Sequence, residues 1–309
     1  MSINQTIEVS ELSKIYGKFK AVDHISFKIE GAGAIAYLGQ NGAGKTTTFK
    51  MMTGLIKPST GYVKIGGYDI IRDRKRILSG IGTLVETPEP YPSLTVRESI
   101  MLVGELKGMK KKDIEDHIEN FGKKVNIPDP SMKVGTLSRG QRARIVFAAA
   151  FLNDPSIIFL DEPTNGMDPS ERRIIRDIIL EWKKDHMIML SSHLLQEVTD
   201  TCENIIFINR GKLTVQDKTR EIERKFNSRS VRVQYLDKVS LSNMNNANLT
   251  LVDKIEEEST NSFVLYFDGR LENKAAILSQ CQKIGRVISY ADYESSLEEA
   301  FVNLIKENQ

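Results

Sequence analysis

The sequence predicts an α/β fold built on a mainly parallel sheet, followed by a small α+β domain. A glycine-rich turn, Gly39–Thr46, joins an apolar strand to a helix. Further strands that are apolar throughout alternate with amphipathic helices, which is typical of a parallel sheet covered on both faces. From about Thr219 the composition shifts towards Asn, Ser, Glu and Lys. We therefore expect one domain over residues 1–218 and a second over 219–309.

The chain has 309 residues, a net charge of +2 and two cysteines. This charge is too close to neutral to indicate a polyanion partner, so no nucleic acid is expected. The cysteines lack a C-x-x-C spacing and are predicted to be reduced thiols. The N-terminus does not resemble a signal peptide, and no apolar stretch approaches the ~18 residues that cross a bilayer. We expect any membrane role to come through a partner chain.

The first two segments, Ile7–Tyr16 and Ala21–Ile29, alternate apolar and polar residues as half-buried strands do. A short hairpin strand, Tyr62–Ile65, follows later, bounded by glycines. These segments predict an antiparallel β layer. Tyr16 lies in a polar turn before the glycine-rich loop, where its ring could stack on a purine base or simply pack the turn.

The glycine-rich stretch Gly39–Thr46 matches G-x-x-x-x-G-K-[ST] and follows the predicted strand Ala34–Leu38. Its glycines can adopt positive φ, so successive backbone N–H groups can converge on phosphate oxygens. The helix that begins at Lys45 would direct its positive end at the same anion. Lys45 is then the cation for the β- and γ-phosphates, and Thr46 is the expected Mg²⁺ ligand. The alternative is a glycine-rich turn with a chance Lys-Thr pair.

A helical region is predicted from Leu94 to about Asn126, opened by the capping-box spacing of Thr95–Glu98. The three prolines of Thr87–Pro92 predict a stiff surface loop before it. Leu137–Gln141 introduces another helix, rich in alanine. We expect these helices to form a helical subdomain over about 88–150.

Polar side chains stand at the carboxyl ends of several predicted strands, where open α/β sheets place their ligands. Ile157–Glu162 ends in two acids, Ile81–Glu86 in one, and Met187–His193 in a histidine. Asn204–Asn209 is a further buried strand, and Ser170–Lys183 is an amphipathic helix. The sequence therefore predicts that these polar groups meet at one edge of the sheet.

The C-terminal domain carries no recognisable chemistry. Its predicted elements are strands at Ser230–Leu236, Phe263–Phe267 and Arg286–Tyr290, helices at Asn273–Ile284 and Ser295–Ile305, and a polar loop at Asn243–Asn248. Its role could be dimerisation or regulation, or it could be a passive cap.

With these motifs in place, the chain resembles the nucleotide-binding subunit of ATP-binding cassette (ABC) transporters over roughly Ile3 to Val215. The matching motifs are the Walker A loop Gly39–Thr46, the Walker B strand Ile157–Asp161, the catalytic Glu162, the signature Leu137–Gln141, the D-loop Gly166–Asp168, the switch His193 and the base-stacking Tyr16. The resemblance implies the P-loop NTPase fold, ATP and Mg²⁺ as cofactors, and ATP hydrolysis.

The resemblance also assigns roles to individual residues. The implied catalytic residues are Glu162, His193 and Lys45. The implied nucleotide-binding residues are Tyr16, Gly39, Asn41, Gly42, Gly44, Lys45, Thr46, Thr47, Ser138, Gly140, Gln141 and Asp168. The implied Mg²⁺ ligands are Thr46, Asp161 and Glu86.

Two residues depart from the family pattern. Glu86 stands where the family most often has a glutamine, and its carboxylate adds negative charge beside Asp161 and Glu162. Arg139 replaces the first signature glycine, while Ser138 and Gly140 are retained. The Glu86 exchange resembles the bacterial multidrug and peptide-antibiotic exporter branch.

The function implied is an ATPase subunit at the cytoplasmic face of the cell membrane, peripheral through a separate integral membrane permease. The permease would export a drug, a peptide antibiotic or an ion. A second nucleotide-binding subunit, expected to be an identical chain, would complete the ATP site. The alternatives are a non-transport ABC ATPase that remodels nucleic acid or ribosomes, and a nucleotide-sensing regulatory module.

Overall fold

The structure is a computed structural model that describes residues 3–86, 89–192, 198, 201–222, 230–247 and 249–293. The chain divides into two compact units, Met1–Asp217 and Lys218–Gln309. Each unit has its own hydrophobic core and is described by itself.

The first unit begins with strands, continues with helices and ends in further strands of the main sheet. In chain order its elements are β1 (Thr6–Tyr16), β2 (Phe19–Glu30), β3 (Gly33–Leu38), α1 (Lys45–Met52), β4 (Thr60–Ile65), β5 (Tyr68–Asp69), α2 (Arg74–Gly80), β6 (Ile81–Leu84), α3 (Val96–Leu106), α4 (Lys111–Val125), a 3-10 turn (Val134–Thr136), α5 (Arg139–Ala150), β7 (Ile157–Asp161), α6 (Pro169–Trp182), β8 (Met187–Ser192), β9 (Asn204–Asn209) and β10 (Lys212–Lys218).

The main sheet has six strands in the order β10-β9-β3-β8-β7-β6. The pairs β3–β8, β3–β9, β7–β8 and β6–β7 are parallel, which confirms the mainly parallel sheet. Every residue of β7 and β8 is buried, as expected for strands covered on both faces. The carboxyl ends of these strands therefore lie along one edge of the sheet.

A second, antiparallel sheet in the order β2-β1-β4-β5 forms the predicted β layer. Helix α1 contributes to the core through Phe49, whose ring lies 5.8 Å from the ring of Tyr37 and 6.0 Å from that of Phe159. Tyr37 also donates its hydroxyl to Thr48 Oγ1 at 3.2 Å. Helix α1 is thus fixed against β3, which precedes the glycine-rich loop, and against β7, which ends at the acids.

Helices α3, α4 and α5 pack around a separate apolar cluster that includes Val96, Ile114 and Ile145. Thr95 forms the predicted capping box with Glu98 at the start of α3. The helical region predicted over Leu94 to Asn126 is divided in two, because α3 ends at Leu106 and a turn precedes α4.

The side chain of Lys107, just after α3, joins this cluster to the main sheet. Its ammonium donates to Ile81 O at 3.3 Å and to Leu152 O at 3.0 Å. Burial lowers the pKa of Lys107 to about 8, since the charged form loses hydration there.

The second unit contains β11 (Ser230–Tyr235), α7 (Leu241–Asn246), β12 (Lys254–Ser259), β13 (Ser262–Tyr266), α8 (Leu271–Cys281) and β14 (Val287–Asp292). The strands form an antiparallel sheet in the order β12-β13-β11-β14. Strand β12 was missed by the sequence patterns. The helix predicted over Ser295–Ile305 lies outside the described residues.

The polar loop predicted over Asn243–Asn248 is wrong, because α7 occupies most of that stretch. Ser240 caps this helix: its Oγ accepts from Asn243 N at 3.3 Å, and Asn243 Oδ1 accepts from Ser240 N at 2.9 Å. Met244 is fully buried and anchors the helix in the core of the unit. The cap and this one anchor outweigh the weak helix propensity of the asparagines.

Candidate functional site

The glycine-rich loop connects β3 to α1 through backbone conformations that favour glycine. Gly42 has φ +80° and Gly44 has φ +109°. A Cβ at Gly44 would also lie 2.6 Å from Ala21 O, well inside van der Waals contact. The loop therefore keeps this shape only with glycine at that position, and it places the N-terminal end of α1 next to the loop amides.

Lys45 is only 6% exposed, and its ammonium lies inside the loop. Its Nζ donates to Gly39 O at 2.8 Å and to Gln40 O at 3.4 Å. The same Nζ lies 3.4 Å from Glu162 Oε1. The lysine of the loop thus meets the acid at the end of β7, although the two residues are far apart in sequence.

The end of β7 is held by Ser191 of the neighbouring strand β8. Ser191 Oγ donates to Asp161 Oδ1 at 2.5 Å and accepts from Glu162 N at 3.0 Å. Glu162 N also lies 3.2 Å from Ser191 O, and Glu162 has φ +49°, which turns it away from the strand. One buried hydroxyl therefore orients both acids.

The residues at this edge fit a hard divalent cation. Asp161 offers a buried carboxylate, which among the described residues accepts a hydrogen bond from Ser191. Thr46 offers a half-buried hydroxyl at the start of α1. Oxygen ligands of this kind suit Mg²⁺, which usually shares its coordination between protein and substrate phosphates. Among the residues that the structure describes, no group of three or more His, Cys, Asp or Glu could hold a metal by itself.

Glu86 lies beyond β6, which ends at Leu84, two residues before the predicted end of the strand. It adopts φ +57°, and its side chain is 60% exposed. Its carboxylate forms an ion pair with Lys50 of α1. Glu86, the third predicted metal ligand, is thus paired with the lysine Lys50 of α1.

The signature residues form the start of α5. Ser138 is the N-cap of this helix: its Oγ accepts from Gln141 N at 3.2 Å, and Gln141 Oε1 accepts from Ser138 N at 2.8 Å. This capping box fixes the helix start and presents its N-terminal dipole at an exposed position. The fixed N-terminus can bind an anion in the way that the loop and α1 can.

Helix α6 starts in a similar way at Asp168. Asp168 Oδ1 accepts from Ser170 Oγ at 2.7 Å and from Glu171 N at 2.9 Å. These hydrogen bonds, first that of Ser170, lower the pKa of Asp168. Asp168 is therefore a charged cap.

Glu171 connects the starts of α5 and α6. Its carboxylate forms an ion pair with Arg144 and accepts from Asp168 N at 3.3 Å. A Cβ at Gly140 would lie 2.7 Å from Glu171 Oε2, so the carboxylate packs directly on that glycine. Arg139 lies against Gly166 of the D-loop. The signature and the D-loop are thus joined by Arg139 of the signature and by Arg144 and Glu171, which lie in no motif.

The remaining predicted residues lie at the surface or outside the described residues. Tyr16 is the last residue of β1 and is half exposed, with Lys14 Nζ 5.2 Å from the centre of its ring. Asn41 is exposed and Thr47 is half-buried. His193 lies outside the described residues.

The motifs missed several side chains that hold the site together. Ser191, Lys50 and Glu171 contact predicted site residues, and Arg144 forms an ion pair with Glu171, yet none of the four belongs to a motif used above. Ser191 left one signal, a serine at the end of an otherwise apolar strand. The ion pairs left none, because each joins residues distant in sequence.

Comparison with known proteins agrees with these motifs. The family model described as "ABC transporter" matches residues 22–165. The bacitracin transport ATP-binding protein BcrA of Bacillus licheniformis is 37% identical over 210 residues, which cover 67% of this chain and 68% of that protein. The ABC transporter ATP-binding protein NatA of Bacillus subtilis is 35% identical over 198 residues, or 63% of this chain and 80% of that protein.

The fold also matches solved structures. A structure described as the ATP-binding subunit of an ABC transporter has a TM-score of 0.67 and 26% sequence identity. The match covers 72% of this chain and 93% of that structure. In the described part of the chain, no helix is both long and apolar enough to cross a membrane.

Proposed function

The chain belongs to the ABC transporter ATP-binding family, and from that premise we propose that it powers a separate membrane permease by hydrolysing ATP. It is an ATP-binding protein and an ATPase. The observation that carries the residue assignments is the 3.4 Å contact between Lys45 Nζ and Glu162 Oε1. This contact supports a shared site for a phosphate cation and a catalytic acid.

In the proposed reaction, water attacks the γ-phosphate of ATP bound to the loop Gly39–Thr46. Lys45 and the loop amides neutralise charge on the transferring group, and the helix α1 dipole adds to this field. Glu162 accepts a hydrogen bond from the attacking water and polarises it, while His193 would fix the γ-phosphate. When bound by Thr46 and Asp161, with Glu86 reaching the ion or its water, Mg²⁺ supplies further charge neutralisation.

The existing contacts of Lys45 are consistent with this role. Its ammonium is held by loop carbonyls and lies 3.4 Å from Glu162 Oε1. A γ-phosphate would compete for the same ammonium and would weaken its contact with the Glu162 carboxylate, which could then accept from water. The nucleotide would thereby prepare its own catalytic base.

The test of Glu162 is the variant Glu162→Gln, which keeps the shape of the side chain and removes its charge. We expect ATP affinity to be retained and turnover to fall by about 10²–10⁴, the usual contribution of a positioned general base. Glu181→Gln is a matched control, because Glu181 is an exposed glutamate that pairs with Lys124 on the surface. Normal turnover in Glu162→Gln would contradict the assignment.

We propose further that the active form is a homodimer in which the signature of each chain completes the ATP site of the other. The capping box of Ser138 fixes a helix N-terminus whose amides can face a γ-phosphate. Gly140 lies two residues further along, and its lack of a Cβ leaves room for the Glu171 carboxylate beside the helix start. Tyr16, Asn41 and Thr47 would contact the base and phosphates from the loop side, and Asp168 would face the other chain at the D-loop.

The permease is proposed to dock on the helical part, at the cytoplasmic face of the membrane. Exposed apolar side chains stand there, with Leu106 80% exposed and Tyr91 66% exposed. Tyr91 also lines a cavity of about 560 Å³ together with Leu94, Met101 and Leu102. Apolar patches of this kind are typical of interaction surfaces. Export, rather than import, is supported by the resemblance of the Glu86 exchange to the exporter branch, and the relative named for bacitracin transport supports a peptide-antibiotic cargo.

We expect a polytopic membrane protein to be encoded next to this chain, and the permease proposal is tested with that protein. We expect the two proteins to copurify in detergent and to show ATPase activity that responds to the exported compound. Leu106→Glu should weaken copurification while leaving ATP affinity unchanged, and Lys57→Glu, at an exposed lysine, is the control. If no such complex forms and no transport depends on Glu162, the transport role is wrong.

A further inference from the structure

The ion pair between Lys50 and Glu86 joins the two elements that surround the predicted cation site. Lys50 lies in α1, directly downstream of the glycine-rich loop, and Glu86 lies just beyond β6. The carboxylate replaces the neutral amide that the family pattern favours. The pair is therefore a contact that this chain can make because of its own departure from that pattern.

Helix geometry places Lys50 on the same side of α1 as the expected metal ligand. Thr46 and Lys50 are four residues apart, and residues at this spacing are neighbours on one helix face. The Glu86 carboxylate is therefore bound by a side chain on the face of α1 that carries Thr46.

Each acid around the site has a partner of its own. Glu162 is paired with Lys45, Asp161 accepts from Ser191, and Glu86 is paired with Lys50. Three carboxylates converging without such partners would repel each other, and they would bind a divalent cation more tightly than two. Lys50 compensates the extra carboxylate that Glu86 brings.

We propose that Lys50 is the counter-ion of Glu86 and thereby sets how strongly nucleotide binding depends on Mg²⁺. This inference rests on the proposed ATP site. Glu86 stays on Lys50 when the nucleotide carries no cation, and it leaves Lys50 for the cation site when Mg²⁺ accompanies the nucleotide. Lys50 is a positioning residue, since it acts through Glu86.

Because the pair is partly exposed, moving Glu86 away from Lys50 costs little free energy. The side chains of Lys50 and Glu86 are 26% and 60% exposed, so solvent screens their attraction. Ion pairs of this kind change an equilibrium by at most about fivefold. The pair can therefore bias the position of Glu86 without locking it.

The experiment measures affinity for the non-hydrolysable β,γ-imido analogue of ATP by calorimetry, in EDTA and in saturating Mg²⁺. The readout is the ratio of the two dissociation constants, which does not depend on turnover. Lys50→Met should raise the Mg²⁺ dependence about fivefold, because Glu86 loses its competing partner. Glu86→Gln should lower the Mg²⁺ dependence, because one of the carboxylates that can reach the cation is lost.

Further variants separate the pair from a general effect of charge. Lys50→Arg should keep the wild-type ratio, and so should Lys57→Met, which removes a positive charge at an exposed lysine after α1. The effect of Lys50→Met should disappear in the Glu86→Gln background. An unchanged ratio in Lys50→Met, or an equal change in both backgrounds, would overturn the inference. Absence of nucleotide binding in the wild type would instead refute the proposed function.

Discussion

Replacing Ser191 with alanine should remove the side-chain hydroxyl that links the two acids at the end of β7 to strand β8. The Ser191 hydroxyl is fully buried, donates to Asp161 Oδ1 at 2.5 Å and accepts from Glu162 N at 3.0 Å. In Ser191→Ala the Glu162 amide keeps the Ser191 carbonyl, 3.2 Å away, as an acceptor. The main loss is therefore the donor to the Asp161 carboxylate, which is itself only 6% exposed.

A hydrogen bond to a charged group contributes about 1.5–3 kcal/mol, and water cannot easily reach this position to replace it. We expect Ser191→Ala to lower the free energy of unfolding of the first unit by that amount, measured by urea titration. We also expect ATP turnover to fall at least about tenfold, because the Asp161 carboxylate loses the donor that orients it and Glu162 N loses one of its two acceptors.

Ser99→Ala is a matched control. Ser99 is also buried, but its Oγ has no hydrogen-bond partner among the residues that the structure describes. This exchange should change stability by less than about 0.5 kcal/mol, or even raise it, since it removes an unsatisfied polar atom. If Ser191→Ala cost no more than Ser99→Ala and hydrolysed ATP normally, the role assigned to Ser191 would be wrong.

Three further predictions concern other contacts of the first unit. Glu171→Met should lower the free energy of unfolding by about 3–5 kcal/mol, because it leaves the buried Arg144 guanidinium without its counter-ion. The double variant with Arg144→Met should recover most of that loss in the same urea titration. Because the pKa of Lys107 is lowered in the folded protein, the unfolded chain binds more protons between pH 8 and the ordinary lysine pKa of 10.5. The wild type should therefore gain stability relative to Lys107→Met as the pH rises from 8 to 10. Gly44→Ala should abolish nucleotide binding in calorimetry, whereas Gly42→Ala, which meets nothing within 4 Å, should weaken it less.

The sequence predicted those parts of the fold that depend on local patterns. The strand Ala34–Leu38, the glycine-rich loop and the helix after it follow from apolar runs, missing Cβ atoms and helix propensity, all of which act between near neighbours. The capping box of Thr95 is equally local. The helix α7 was missed because its residues are polar and its stability depends on Met244, whose burial is decided by the rest of the unit.

The site was predictable in its motifs and not in the contacts between them. Patterns identify Lys45 and Glu162 separately, but only the fold shows that their side chains meet. The pairs Lys50–Glu86 and Arg144–Glu171 join different elements across the tertiary structure. An amphipathic pattern says which face of an element is buried, and it does not say which residue lies opposite.

The most direct test of the account is the mass of the Glu162→Gln variant in solution, measured by light scattering with and without ATP and Mg²⁺. If ATP is held between two copies and hydrolysis releases them, this variant should be a monomer of 34.9 kDa without nucleotide and should have about twice that mass at saturating ATP. A second change, Ser138→Arg, should prevent the increase while leaving ATP bound. A monomer at saturating ATP, in a variant that binds the nucleotide, would contradict the account.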